Sequence, residues 1–167
     1  MEDMIYNQRQ IPEEQWRYGF RSSAATGCGW IATYNALRLM GYRADPKGLI
    51  RYYEHQLPLI HGNAGTSFWG PALYFKKWGF PVEMTARLSE FDKVVDRNHV
   101  GILFYHWREG MKMGAHFVAV QRTEDGFIGY NTYRTSQGPD RYGESLESFL
   151  KKRKYFGMVL IGIRDKR

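Results

Sequence analysis

The sequence holds a single cysteine, Cys28, among 167 residues, so no disulfide can form within the chain. Such a chain is held by packing, as fits a reducing compartment. CxxC and HExxH are absent, and no other cluster has metal-ligand spacing, so neither a metal nor a cofactor is expected. Long apolar runs are missing too. The longest, such as "GMVLIGI", are far too short to cross a bilayer. The amino terminus, "MEDMIYNQRQIPEEQW", has no basic start followed by an apolar run, which argues against a secretory signal and leaves a cytoplasmic location as the default. Repeats, low-complexity tracts and obvious linkers are also absent. The length suits one domain, residues 1–167, able to bury a core.

Net charge is +7. That permits anionic partners. The positive charge is scattered, however, and the one dense run, "KKRK" at 151–154, reads as a solvated helix end whose lysines complement the helix dipole. A local basic run is a weak footprint for nucleic acid. No nucleic-acid or membrane partner is therefore expected, and nothing in the sequence fixes an oligomeric state.

The first twenty-odd residues read as an irregular arm. A helix follows from about Gly27 to Met40, with Thr26 as N-cap and Gly41 as its stop. Ile31, Tyr34 and Leu37 repeat at near-helical spacing, so one face is expected to be buried. Asp45-Pro46 opens a second helix, Asp as cap and Pro in the first turn. "NAGTSF" is a loop into a third, "SFWGPALYFKKWG", which stops at Gly79. "SEFD" at 89–92 has capping-box spacing, so a short helix comes next. The second half changes character. "HVGILFYHW", "GAHFVAVQR", "GFIGYNTY" and "FGMVLIGIR" are β-branched and aromatic runs separated by turn signals such as "EDG". One helix, roughly Leu146–Lys152, interrupts them. Helices first and mostly antiparallel strands after predict an α+β fold with the helices on one side of a sheet.

Cys28 falls in the first turn of its helix, where unpaired N–H groups and the dipole favour an anion and so a thiolate. Gly27 and Gly29 would leave room for a substrate on both sides. A buried structural cysteine fits the same position. A nucleophile needs a base. His116 heads the strand "HFVAV", whose inward face would be His116, Val118 and Val120, so it is either a satisfied core histidine or a placed catalytic group. Asn131 lies on the next strand, and its amide oxygen would accept the His116 ring N–H. Cys, His, Asn is the chain order of the papain-like arrangement. Hairpin register decides whether the last two meet. An Asp125-Gly126 turn would leave Asn131 four positions from the residue opposite His116. A four-residue loop, 123–126, reduces the offset to two, a diagonal of ~7–8 Å, and a six-residue loop places them opposite. One of the longer loops is expected, and a tight two-residue turn would count against the pair. His106 is the competing base, with no Asn or Asp on a paired strand. His55, His61 and His99 read as surface or boundary residues.

The blocks "YNQRQIPEEQWRYGF…TGCGWIATYNAL", "GTSFWGPALYFKKWGFPV" and "GAHFVAVQRTEDGFIGYNTY" resemble the bacteriocin-leader-processing (double-glycine) peptidases, a group of the papain-like cysteine peptidase superfamily. The likeness spans most of the chain. It implies a papain-like fold and thiol peptidase activity with Cys28 as nucleophile, His116 as base and Asn131 as orienter. Three positions depart from the pattern. Close relatives carry an oxyanion-hole glutamine six residues before the cysteine, where this chain has Ser22. Gln8, in "YNQ", is the best substitute, with Gln10 and Gln15 open. Bulky Trp30 follows the motif where relatives often have a small residue or proline, and Thr132-Tyr133 stands where Asp-Pro is usual.

These residues predict a hydrolase that cleaves peptide bonds through a thioester, acting on a peptide or protein substrate. The same triad serves an acyltransferase or deamidase, and a non-catalytic peptide-binding module retains the same fold. The loops around "HGNAGTSF" and "WREGMKMGA" are where specificity is expected.

Overall fold

The structure, a computed structural model, describes residues 4–55 and 66–167. Its helices are α1 (Ser23–Thr26), α2 (Cys28–Leu39), α3 (Pro46–His55), α4 (Gly70–Lys77), α5 (Phe91–Asn98) and α6 (Leu146–Arg153). The strands are β1 (Val82–Thr85), β2 (Val100–Glu109), β3 (Lys112–Thr123), β4 (Gly126–Tyr130), β5 (Asp140–Gly143) and β6 (Phe156–Ile163). They form one antiparallel sheet in the order β1-β6-β2-β3-β4-β5. The α+β class is the one the sequence predicts.

The layering differs from the one-sided packing expected. Ile102, Phe117, Ala119 and Ile161 face α2, packing with Trp30 and Ile31. Their neighbours Leu103, Val118, Val120 and Leu160 face the other way, onto Phe91 and Val94 of α5 and Leu146 and Phe149 of α6. Runs such as "ILFY" and "FVAV" are apolar at both parities, so both faces of these strands require cover. Helix α2 is likewise buried around most of its circumference, from Gly29 to Leu37, rather than on one face.

Most of the boundaries have the local causes the sequence carries. Asp45 caps α3, accepting from the Lys47 N–H at 3.1 Å and the Gly48 N–H at 3.0 Å. Gly41 and Gly79 follow α2 and α4 with φ of 78°. Thr26 does not cap α2. It closes α1, its own N–H bonded to the Ser22 carbonyl, and Gly27 joins the two helices. A Cβ on Gly27 would meet the Ser23 carbonyl at 2.5 Å and the Trp30 ring nitrogen at 2.7 Å, so only glycine allows this junction. Ser89 caps nothing either. A 3-10 turn over Leu88–Glu90 leads into α5, and Asp92 accepts the Leu146 N–H at 2.8 Å.

The β3–β4 hairpin closes through a two-residue turn, Glu124-Asp125, with Gly126 at φ 105° on its exit. The longer loop does not form. The turn lies one residue before the Asp125-Gly126 alternative, however, and that shifts the register by two. Pairing Ala119 with Tyr130 and continuing to His116 leads to position 133, two from Asn131. The offset is that of the four-residue loop. Strand β4 stops at Tyr130, and Asn131 turns away with φ 66°.

Candidate active site

The site is built where α2 begins against the end of β4. Cys28 is the first residue of α2 and is half-buried. Its flanking glycines are not openings for a substrate. Gly29 lies directly against the Thr66 side chain, and Gly27 is closed off by Ser23 and Trp30. Trp30 is itself fully buried. Its ring N–H donates to Ser23 Oγ at 3.1 Å, and the Ser23 hydroxyl donates to the Trp16 carbonyl. The bulky residue after the cysteine thus fastens the arm to the helix start.

Strand β4 has left the sheet at the level of Phe117, and the backbone N–H dipoles of Phe117, of Gly29 and of Cys28 itself act on the Cys28 thiol. These donors favour thiolate, in line with the first-turn argument. Burial outweighs them and pushes the thiol above its ordinary range.

His116 precedes Phe117. Its Nε2 lies 2.6 Å from the Asn131 backbone carbonyl. A carbonyl only accepts, so Nε2 carries the proton and Nδ1 keeps the lone pair. Burial pushes the imidazole below its ordinary range, with the Asn131 carbonyl opposing, so the ring is held neutral. Tyr105, directly across on β2, meets it edge-on at 5.9 Å between centroids.

The Asn131 amide does not reach the imidazole. Its Oδ1 accepts the Gln8 backbone N–H at 2.7 Å, and its Nδ2 donates to Gln8 Oε1 at 2.9 Å. Gln8 Nε2 in turn donates to the Ala24 carbonyl at 3.0 Å. Because the first donor is a backbone N–H, the orientation of both amides is fixed by the chain itself. The left-handed φ of Asn131 is what aims its carbonyl at the ring, a conformation asparagine tolerates better than most residues.

His116, Asn131 and Gln8 are therefore joined by direct hydrogen bonds, and they line one cavity of about 580 Å³ with Ala24, Tyr105 and Tyr155. Cys28 is set one strand residue from His116 through Phe117 and does not line that cavity. Among the described residues no hydrogen bond joins Cys28 to His116. Gln10 and Gln15 are exposed and away from the cavity. Ser22 opens α1, its carbonyl accepting from Ala25 and Thr26. His106, His55 and His99 are exposed, while His61 lies outside the described residues, as does most of "HGNAGTSF".

Asn7 was not singled out from the sequence. It is buried, caps the Gln8–Gln10 turn by accepting the Arg9 N–H at 3.0 Å, and donates to the Arg134 carbonyl at 2.7 Å. Its signal was an N-cap residue type ahead of a turn. No group of three or more His, Cys, Asp or Glu among the described residues is placed to share a metal ion, and none of the described helices is long and apolar enough to cross a membrane.

No protein-family model matches the chain, and no curated protein matches it. Among solved structures it is similar to the peptidase domain of Streptococcus ComA, a bi-functional ABC transporter involved in a quorum-sensing pathway. The match has a TM-score of 0.58 at 14% identity and covers 85% of this chain and 93% of that one. At that identity the likeness concerns the fold, which is α+β and papain-like.

Proposed function

We propose that this papain-like fold houses a cysteine peptidase-type hydrolase with Cys28 as nucleophile and His116 as general base. The observation that carries the reading is the 2.6 Å bond from His116 Nε2 to the Asn131 carbonyl, because it reserves the Nδ1 lone pair for a proton. In the proposed reaction Nδ1 takes the Cys28 proton as sulfur attacks the substrate carbonyl carbon. The resulting imidazolium then protonates the leaving amine, giving a thioester, and the neutral ring finally activates water to hydrolyse it. Asn131 acts as orienter through its main chain. For the oxyanion we assign the Cys28 backbone N–H and the Gln8 amide hydrogen that remains beside the Ala24 bond. Losing one such donor typically costs ~10²–10³ in turnover.

Thiol and imidazole are both held neutral by burial, so proton transfer accompanies attack and is not complete beforehand. The same pair of shifts, with Ser22 in place of glutamine, favours a second reading, a binding module that keeps the fold without turnover. Alkylation of Cys28 by iodoacetamide, followed against pH in the native chain and in His116→Ala, tests the first. Loss of rate in His116→Ala across neutral pH supports the base. Equal rates in both, rising only in the alkaline range, overturn it and leave the binding module.

A further inference from the structure

The rim of the cavity carries charge that the proposed chemistry does not use. Arg9 and Arg134 both line it, and both are exposed. Neither guanidinium takes part in an ion pair or hydrogen bond among the described residues. They are not independent surface residues, because the single buried side chain of Asn7 brackets them. Its Oδ1 holds the Arg9 N–H at 3.0 Å and its Nδ2 holds the Arg134 carbonyl at 2.7 Å. The main chains that carry two like charges are thus fixed on one rim, beside Asn131, whose carbonyl holds His116. Arg9 follows Gln8 directly, and Arg134 lies in the loop that Asn131 opens.

The one carboxylate on the described lining, Glu109, is at the other end. It stands four residues beyond Tyr105 on β2, and Tyr105 pairs with His116. At strand rise that is roughly 13 Å from the His116 level. A third guanidinium, that of Arg153, stacks 4.6 Å over the ring of Tyr133, another lining residue. The end of the cavity next to His116 is therefore cationic, and among the described lining residues it lacks a counter-charge.

We propose that Arg9 and Arg134 form a carboxylate-binding subsite, so that the preferred peptide carries a carboxylate close to the bond attacked. This rests on the peptidase reading. Guanidinium groups bind carboxylates through paired N–H donors, so the subsite separates a carboxylate from its isosteric amide. The carboxylate comes either from an Asp or Glu side chain or from the chain terminus.

The test uses degenerate heptapeptide pools with Glu or Gln fixed at the centre, each made with a free or an amidated C-terminus. Cleavage by the native chain is read by mass spectrometry. Binding of the same rhodamine-labelled pools to Cys28→Ala is read by fluorescence polarisation. The expected result is a preference of about fivefold or more for Glu over Gln, weakening with salt and lost in Arg9→Gln/Arg134→Gln. A chain-terminal source shows instead as the same preference for free over amidated pools. Only the main chains of Arg9 and Arg134 bond to Asn7, so this double variant keeps the fold. Binding that favours the carboxylate with no cleavage of any pool removes the peptidase reading and keeps the subsite. Cleavage or binding indifferent to the carboxylate removes the subsite.

Discussion

Replacing Asn131 by glycine separates its two parts. The variant keeps the main-chain carbonyl that faces His116 and readily adopts φ 66°. It removes the amide that holds Gln8 through bonds of 2.7 and 2.9 Å. Two hydrogen bonds at a net ~1 kcal/mol each give a loss of about 2 kcal/mol. Asn131 is only 2% exposed and its bond to the Gln8 backbone N–H is part-buried, so that N–H is left without its acceptor in a place only partly open to water. That adds ~1–2 kcal/mol, for a total of about 3–4 kcal/mol. In a domain of this size the melting temperature should fall by roughly 6–16 °C. The ring should nonetheless keep its proton on Nε2, which long-range ¹H–¹⁵N correlation spectra of the imidazole report directly. Asn131→Ala should be less stable than Asn131→Gly by ~1 kcal/mol, because alanine resists the left-handed backbone. A Gly variant that melts like the native chain, or whose imidazole moves its proton to Nδ1, would show that the side chain and not the carbonyl positions His116.

Gly29→Ala puts a methyl group into Thr66 and should destabilise by ~1–3 kcal/mol, with Thr66→Gly restoring part of the loss in denaturant melts of the double variant. Ser23→Ala strands the buried Trp30 ring N–H and should cost ~1–3 kcal/mol, visible in the same melts and as a change in tryptophan fluorescence. His116 contributes a stability slope with pH. Its folded pKa lies below the ordinary 6.5, so the unfolded chain gains a proton that the folded chain refuses as pH drops past 6.5. That stability is intact above 6.5 and is lost progressively below it. Melting temperatures from pH 7 to pH 5 should fall less steeply in His116→Gln, and identical slopes would exclude the effect.

The fold class was legible because the helical periods and the apolar strand runs occupy different halves of the sequence. Strands β1 and β5 were not, since "VEMT" and "DRYG" are four-residue edge segments with charged members and no apolar run. The two-sided cover of the sheet was present in "ILFY" and "FVAV", which do not alternate, and an amphipathic reading of those strands conceals it. Asn131 was singled out by its type and its place after His116, and Gln8 by the resemblance of "YNQ", but their bonding to each other was not legible. A side-chain amide is visible in a sequence, whereas a carbonyl aimed by one left-handed residue is not. "EDG" marks a turn without saying which two residues span it, and a shift of one residue decides the register at His116. Gly27 and Gly29 looked like access because sequence shows the missing side chain and not the Ser23, Trp30 and Thr66 atoms that fill its place.

The bonds between Gln8 and Asn131 join residues 123 apart, and that separation has a consequence in time. Contacts this remote close late, after helices and hairpins have formed. Variants at this junction should accelerate unfolding in stopped-flow experiments and leave the refolding rate nearly unchanged. On a ribosome, about 100 residues separate synthesis of the Cys28 codon from that of Asn131, an interval of roughly 5–20 s. Until Asn131 has been made, the nascent chain holds Cys28 without the joined His116, Asn131 and Gln8. The chain therefore completes this cluster of side chains only when its folding is almost over.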